Sequence, residues 1–177
     1  VARLGLPCFI KSNVGGSSFG VSKVTSPDEV QPAIDRAFAE GPEVVAEAFL
    51  KGTELTCGCY KTRLETRVLP VTEVVPMNDF FDYDAKYNGQ VQEITPARIS
   101  KALTERVQQI TSLIYDILGC KGIIRVDFIV TDDGINLLEV NTTPGMTETS
   151  FIPQQVAAAG LTMTEVMTTV IEDSFDA

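Results

Sequence analysis

The sequence has 177 residues, 44% of them hydrophobic, and 24 acidic against 14 basic side chains give it a formal net charge of −10. That length allows one domain with a sizeable core or two small lobes. So acidic a chain is poorly suited to general binding of nucleic acid or anionic membranes, although local lysines and a divalent metal still permit nucleotide binding. Its apolar runs are strand-sized, so a transmembrane helix is not expected.

The four cysteines do not form a recognisable metal motif, because there is no histidine and only one Cys-x-Cys pair. We expect them to be small core residues in a reducing cytoplasm. The chain begins at Val1, with no initiator methionine or signal peptide, and leads within a few residues into a strand. We therefore expect it to be a piece of a longer protein.

The first 42 residues predict a hairpin followed by a helix. Ser26, Pro27 and Glu29 together form a helix start with a Ser cap, Pro at the first helical position and Glu three residues after the cap. The predicted elements are strands at 7–11 and 21–24, a Gly/Ser-rich loop at 12–20, and a helix that Gly41 ends.

The middle of the chain predicts strands, a long loop and an amphipathic helix. Residues 76–97 show no clean period, and a structureless loop of that length is usually functional. The helical stripe consists of Leu103, Val107, Ile110, Ile114, Ile117 and Leu118. The predicted elements are strands at 43–50, 54–61 and 67–75, the loop at 76–97, and a helix at 98–118.

The last third predicts two strands, at 122–130 and 135–141, and two closing helices, at 152–160 and 162–173. Thr162 and Glu165 form a second capping box. The alternation of strands, hairpins and helices along the whole chain predicts a mixed α+β fold.

The hairpin at 122–141 carries the strongest chemical signal. A three-residue loop ending in glycine would set Thr131 opposite Ile135. Asp127 then falls opposite Glu139, and Arg125 opposite Asn141, on one face of the sheet. The other face carries a predicted core of Val126, Phe128, Leu138 and Val140.

Two carboxylates placed directly opposite each other repel unless a cation lies between them. Asp127 and Glu139 with the Asn141 amide make a set of hard oxygen ligands suited to Mg²⁺ or Mn²⁺, which is often shared with substrate phosphates. The alternative is a network of salt bridges centred on Arg125 on a solvated face.

Three further features suit nucleotide chemistry. Lys11 and the loop at 12–20 could wrap phosphate oxygens, although such a loop is more often a plain hairpin tip. Residues 47–50 with Glu54 could hold adenine and ribose, or they could be an ordinary strand end. Lys86, in the long loop, could compensate charge at a transferred phosphoryl group, or it could be a surface lysine.

In this order, the motifs resemble the ATP-grasp fold and, within it, the D-alanine–D-alanine ligases. The most specific are the run from Glu139 to Thr147 with Ser150 beyond it, and the run Tyr83 to Tyr87. The resemblance implies mixed, mostly antiparallel sheets with flanking helices, without the family's amino-terminal domain. It also implies that residues 1–50 belong to the central subdomain and residues 51–177 to the carboxyl-terminal one, with a lid at 76–97.

The resemblance further implies a set of ATP contacts. Lys11 and the amides around Ser17 and Ser18 would hold the α- and β-phosphates, and Lys86 would reach the γ-phosphate. Adenine and ribose would be bound by Glu47, the backbone of Phe49 and Leu50, and Glu54.

The remaining implied roles concern metal and substrate. Two Mg²⁺ (or Mn²⁺) ions would be held by Asp127, Glu139 and Asn141, and Arg125 would lie against the acyl-phosphate. Gly145 and Ser150 would contact D-alanine, and Ser17 and Tyr87 would fix the lid. Tyr87 favours D-alanine over D-lactate as the second substrate. Two positions depart from the family pattern: Ser12 replaces its usual proline, and Gly15 its usual glutamate.

The implied reaction is ATP-dependent joining of two D-alanines for peptidoglycan synthesis in the cytoplasm, by a homodimeric full-length parent. This chain alone is expected to be inactive. Two other readings stay open: another ATP-grasp ligase that joins a different carboxylate to an amine, and a non-catalytic module that binds a divalent metal or a protein partner.

Overall fold

A computed structural model describes residues 3–14, 19–76 and 91–175. The backbone contacts divide these residues into two compact units. The first contains the described residues up to Lys51, and the second contains Gly52–Val75 with the described residues from Gln92 onward.

The first unit is a three-stranded antiparallel sheet with one helix. Strands β1 (Cys8–Ser12), β2 (Ser22–Val24) and β3 (Val44–Ala48) lie in the order β2-β1-β3. A 3-10 turn at Pro27–Glu29 leads into α1 (Val30–Glu40). The alternation of β1 and β2 sends one face into a core against the helix, made of Cys8, Ile10, Val24, Ala33 and Ala37.

The second unit is a six-stranded sheet with three helices. Its strands are β4 (Thr53–Lys61), β5 (Thr66–Val68), β6 (Thr72–Pro76), β7 (Val91–Ile94), β8 (Ile123–Thr131) and β9 (Gly134–Asn141). The order is β7-β6-β4-β8-β9, with β5 also paired to β4. The helices are α2 (Lys101–Ile117), α3 (Phe151–Ala158) and α4 (Met163–Phe175).

Two cores lie on opposite faces of the central strands. Alternate residues of β4 and β8, among them Leu55, Cys57 and Val126, pack with Val107 and Tyr115 of α2. The intervening residues of the same strands face α3 and α4, where Tyr60 and Ile123 pack with Ile152, Val156 and Val166. This second face is the one that carries Arg125 and Asp127.

The predicted strand at 67–75 is wrong as a single element. β5 and β6 are separate, and both pair antiparallel with β4, with Val68 opposite Cys59 and Thr72 opposite Thr56. The four residue steps from Val68 to Thr72 therefore lie opposite only three steps of β4, from Cys59 to Thr56. Pro70 lies in this break, where the missing amide proton cannot contribute to a strand ladder.

The predicted loop at 76–97 extends too far toward the carboxyl terminus, because Val91–Ile94 forms strand β7 next to β6. Most of the predicted lid lies outside the described residues.

Helix α2 confirms the predicted helix but not its whole apolar stripe. Ser100 caps it by accepting a hydrogen bond from the Leu103 amide. Val107 is buried together with Thr111 and Tyr115, which the stripe did not include. At the carboxyl end Ile117 is 71% exposed, so the stripe was extended there too far.

The hairpin β8–β9 has the predicted pairing at its functional end, but a different turn. Thr131 pairs with Gly134, so the loop has two residues, and the prediction of Thr131 opposite Ile135 is wrong. A bulge at Leu138 then shifts the register by one residue and brings Asp127 opposite Glu139 and Arg125 opposite Asn141. As a result Leu138 is 38% exposed and not in the predicted core.

None of the helices described at 3–14, 19–76 and 91–175 is long and apolar enough to cross a membrane.

Candidate nucleotide and metal site

The outer face of the first unit's sheet carries a lysine–glutamate ion pair. Lys11 lies on β1 and Glu47 on β3, and the Lys11 Nζ atom is 2.7 Å from the Glu47 Oε2 atom. Phe9 pairs directly with Glu47, which puts Phe9, Lys11 and Glu47 on the same face of the sheet. Two residues that the sequence assigned to nucleotide binding are thus side by side.

Two aromatic rings and a second lysine share this face, and the sequence analysis missed Phe9 and Lys23. The Phe9 and Phe49 ring centroids are 6.1 Å apart, and the Lys23 Nζ atom lies 4.4 Å from the Phe49 centroid. Lys23 pairs with Phe9 across β1 and β2. The alternation of β1 and β2 could have indicated this face, which combines flat apolar surface with two ammonium groups.

The second unit holds the Arg125–Asp127 pair on β8, between β4 and β9. Arg125 donates from Nε to Asp127 Oδ1 at 2.8 Å and from Nη2 to Asp127 Oδ2 at 2.7 Å. Both side chains are nearly covered, at 12% and 11% exposure. This two-point contact is the strong geometry that a guanidinium and a carboxylate can form.

Asp127 receives two further hydrogen bonds, one of them from a residue that the sequence analysis missed. Thr56 of β4 pairs with Asp127 and donates its hydroxyl to Oδ1 at 2.6 Å. Asn141 donates from Nδ2 to Oδ2 at 3.0 Å. Each carboxylate oxygen thus accepts two hydrogen bonds, which fixes the orientation of the group.

The charge of Arg125 is stabilised by its surroundings. Burial alone would lower the pKa of the guanidinium, but the hydrogen bonds and charge of Asp127, followed by the charges of Glu139 and Glu54, raise it overall. The ring of Phe151 at the start of α3 lies 5.2 Å from the Arg125 Cζ atom. Arg125 is therefore a fixed cation between carboxylates and an aromatic ring.

Glu139 is the accessible member of the group. Its side chain is 50% exposed, and its Oε1 atom lies 4.0 Å from Arg125 Nη2 and 3.2 Å from Asn141 Nδ2. The sequence prediction that Asp127, Glu139 and Asn141 come together is confirmed in geometry. In the described ranges no three His, Cys, Asp or Glu side chains cluster closely enough to hold a metal.

The donor set nevertheless fits a hard divalent cation. Two carboxylates and an amide on one face supply oxygen ligands, and Mg²⁺ typically takes only one or two carboxylates and keeps several waters. Asn141 turns its nitrogen toward both carboxylates, so the amide would have to rotate to offer its oxygen. Asp127 would have to release at least one hydrogen bond, whereas Glu139 has a half-exposed carboxylate.

The loop between β9 and α3 brings Gly145 and Ser150 together. Ser150 immediately precedes α3, and its hydroxyl lies 2.7 Å from the Thr147 hydroxyl. A Cβ atom built on Gly145 would lie 2.8 Å from Ser150 Oγ, closer than side chains pack. A side chain at position 145 would therefore displace the Ser150 hydroxyl.

The other predicted site residues divide into two groups. Glu54 and Leu50 are described and half-buried, and Glu54 lies on β4 next to β8. Ser17, Ser18, Lys86 and Tyr87 lie outside the described residues.

Comparison with known proteins agrees with this geometry. The family model described as the carboxyl terminus of D-ala D-ala ligase matches residues 1–172. The chain belongs to this family.

The curated relatives carry the same name. A D-alanine–D-alanine ligase of Bacteroides fragilis is 69% identical over 176 residues, covering 99% of this chain and 54% of the relative. One from Porphyromonas gingivalis strain W83 is 58% identical over 177 residues, covering 99% of this chain and 54% of the relative. The chain thus spans about half the length of the curated relatives it matches.

Solved structures show that the chain has the ATP-grasp fold of these ligases. The VanG D-Ala:D-Ser ligase of Enterococcus faecalis has a TM-score of 0.84 and 37% identity, over 97% of this chain and 50% of that one. A D-alanine–D-alanine ligase of Bacillus anthracis has a TM-score of 0.83 and 35% identity, over 98% and 56%. A structure of that ligase complexed with ATP has a TM-score of 0.78 and 29% identity, over 98% and 52%.

Proposed function

We propose that this chain is the ATP- and metal-binding part of a D-alanine–D-alanine ligase. The observation that carries the proposal is the group Arg125, Asp127, Glu139 and Asn141 on one face of the β8–β9 hairpin, in a chain whose family match spans residues 1–172. A carboxylate pair beside a fixed guanidinium suits phosphoryl chemistry, in which negative charge must be bound and redistributed.

The proposed reaction has two steps. The carboxylate of one D-alanine attacks the γ-phosphate of ATP, ADP leaves, and an acyl-phosphate forms. The amine of a second D-alanine then attacks the acyl carbon, displaces inorganic phosphate and, after losing a proton, forms the peptide bond. Both steps develop negative charge on oxygen, which positive groups and hydrogen-bond donors stabilise.

The first unit is proposed to bind the nucleotide. Lys11 neutralises α- and β-phosphate charge, with the amides around Ser17 and Ser18 covering the same oxygens. Glu47 and the backbone of Phe49 and Leu50 hold adenine. The ion pair of Lys11 with Glu47 supports this assignment, because it keeps both groups at one place on the sheet.

The second unit is proposed to bind metal and substrate. Asp127, Glu139 and Asn141 hold Mg²⁺ or Mn²⁺, which neutralises phosphate charge when it is bound. Arg125 stabilises the acyl-phosphate and the developing tetrahedral centre. The carboxyl-terminal loop contacts D-alanine through Gly145 and Ser150. Glu54 binds the ribose.

The lid residues complete the proposal. Lys86 contacts the γ-phosphate, and Ser17 and Tyr87 hydrogen-bond the lid in its closed position. Since the chain spans half of its relatives, we expect it to show no turnover by itself. Peptidoglycan synthesis, a cytoplasmic location and a homodimeric complete protein stay predictions.

Product analysis of the complete protein that contains this chain tests the substrate assignment. The protein is incubated with ATP, Mg²⁺ and D-alanine, with D-alanine plus D-serine, or with D-alanine plus D-lactate. We expect D-alanyl-D-alanine as the main product in each mixture, identified by mass spectrometry. D-Serine is included because the E. faecalis structure above is named a D-Ala:D-Ser ligase. A mixed product as the main species would contradict the substrate assignment.

A further inference from the structure

Gln155 of α3 is a fully buried polar side chain near the site. It is 0% exposed, and all three of its hydrogen bonds go to the neighbouring strands β4 and β6. Oε1 accepts from the Gly58 amide at 2.9 Å, and Nε2 donates to the Thr56 carbonyl at 3.1 Å and to the Thr72 hydroxyl at 3.0 Å. Burying an amide is unfavourable unless it is bonded in this way.

The break between β5 and β6 provides the opening that Gln155 fills. β4 changes its partner strand at Gly58, whose carbonyl accepts from the Leu69 amide at 2.9 Å while its own amide is left for Gln155. A Cβ atom at Gly58 would lie 2.8 Å from Gln155 Oε1 and 2.6 Å from Ile152 Cδ1. The glycine therefore lets α3 approach the strand.

The stretch of β4 that Gln155 holds is the one that supports the charged pair. On the side of β4 away from β6, Gly58 pairs with Arg125 and Thr56 pairs with Asp127. The Thr56 hydroxyl also holds the Asp127 carboxylate at 2.6 Å. A movement of Thr56–Gly58 would therefore move the support of both Arg125 and Asp127.

The other end of the same helix carries the proposed substrate loop. Ser150 lies five residues before Gln155, about 7.5 Å along the helix axis, and the Gln154 amide donates to the Ser150 carbonyl at 3.4 Å. A short helix of eight residues has little stability by itself, so contacts with the sheet must fix its position.

We propose that Gln155 is a positioning residue that sets the distance between the Ser150 loop and the Arg125–Asp127 pair. It acts through β4 and does not touch substrate. The proposal rests on the proposed ligase function, because it assigns the consequence to D-alanine binding. Loss of the amide bonds would let the loop shift relative to the charged pair, which weakens D-alanine binding more than ATP binding.

The test compares Gln155→Met with Val156→Ala in the complete protein. Methionine keeps an unbranched chain of similar length without the amide. Val156 is the neighbouring residue and is 1% exposed, so its truncation loosens the same helix without touching the bonds to β4. Melting temperature, kcat and the KM values for D-alanine and ATP are measured at a temperature at which both variants are folded.

We expect Gln155→Met to raise the KM for D-alanine about tenfold, less than the roughly 100-fold effect that a misplacement of about 1 Å can have, with the KM for ATP unchanged. Val156→Ala should lower the melting temperature and leave both KM values unchanged. Equal KM values for D-alanine in the two variants would overturn the role of Gln155. Wild-type protein without D-alanine-dependent turnover would instead overturn the proposed function, and this role with it.

Thr72→Val is the second variant if Gln155→Met does not fold. It removes one acceptor of the Gln155 amide, together with the hydrogen bond between the Thr72 and Thr95 hydroxyls, and leaves the Gln155 bonds to Gly58 and Thr56 in place. A smaller rise in the KM for D-alanine is expected, and no rise would overturn the proposal.

Discussion

Thr56→Val tests how strongly β4 supports the Asp127 carboxylate. Valine has nearly the same shape as threonine, so the change removes the hydroxyl without opening a cavity. The hydroxyl donates to Asp127 Oδ1 at 2.6 Å, and both residues are more than 90% buried. Hydrogen bonds to charged groups contribute about 1.5–3 kcal/mol. We expect the lower half of that range, because Oδ1 keeps its bond from Arg125 Nε.

Thr111→Val is the matched control. Thr111 is also fully buried, but its hydroxyl donates to the neutral Val107 carbonyl at 2.9 Å, within helix α2. A helix carbonyl already accepts a backbone bond, so its loss should cost less than about 1 kcal/mol. In Thr56→Val the lost acceptor is a buried carboxylate, whereas in Thr111→Val it is a neutral helix carbonyl.

The assay is thermal unfolding of the purified chain with each substitution. At about 2–4 °C per kcal/mol for a chain of this size, the melting temperature should be lower by roughly 3–9 °C in Thr56→Val and by less than half of that in Thr111→Val. Equal losses in the two variants would refute the reasoning, because the charge of the carboxylate would then add nothing to the hydrogen bond from Thr56.

Three further predictions concern the charged pair, the substrate loop and the buried thiol. Arg125→Lys loses the two-point contact with Asp127, and we expect about a 100-fold lower kcat in phosphate release by the complete protein. In Gly145→Ala the added methyl would lie 2.8 Å from Ser150 Oγ and displace that hydroxyl, which should raise the KM for D-alanine about tenfold without changing that for ATP. Burial raises the pKa of Cys57 from 9.0 to about 12, so its contribution to stability is complete below pH 9 and falls as the pH rises toward 12. In Cys57→Ala the free energy of unfolding should therefore fall less steeply above pH 9, by about 1.4 kcal/mol per pH unit.

The predicted pairing of Asp127 with Glu139 is confirmed, but the loop length from which it was inferred is wrong, and a bulge makes up the difference. The sequence suggested a three-residue loop, whereas Thr131 pairs with Gly134 and the extra residue is Leu138. A bulge depends on how the strand packs and has no composition signal of its own here. The glycine of the turn was recognisable in the sequence. In the structure Gly134 has a φ of +139°, which other residues rarely adopt.

Burial was less predictable than pairing. Ile117 continues the apolar pattern of α2, yet it is exposed, although Tyr115 in the same turn packs in the core. Thr56 and Gln155 are polar residues whose burial the sequence did not predict. Thr56 bonds Asp127, 71 residues away, and Gln155 bonds Thr56, 99 residues away, and nothing in the local sequence indicates such distant partners. The sequence assigned Lys11 and Glu47 to nucleotide binding, but their direct ion pair depends on the order β2-β1-β3 and was not predicted.

Phosphate release from ATP by the complete protein tests the central claim most directly. It is measured with Mg²⁺, with and without D-alanine, in the wild type, in Glu139→Gln and in Glu105→Gln as a control on an exposed helix face. We predict release that requires D-alanine in the wild type and the control, and that is lost in Glu139→Gln. Release dependent on a different carboxylate would contradict the substrate, and full activity in Glu139→Gln would contradict the site.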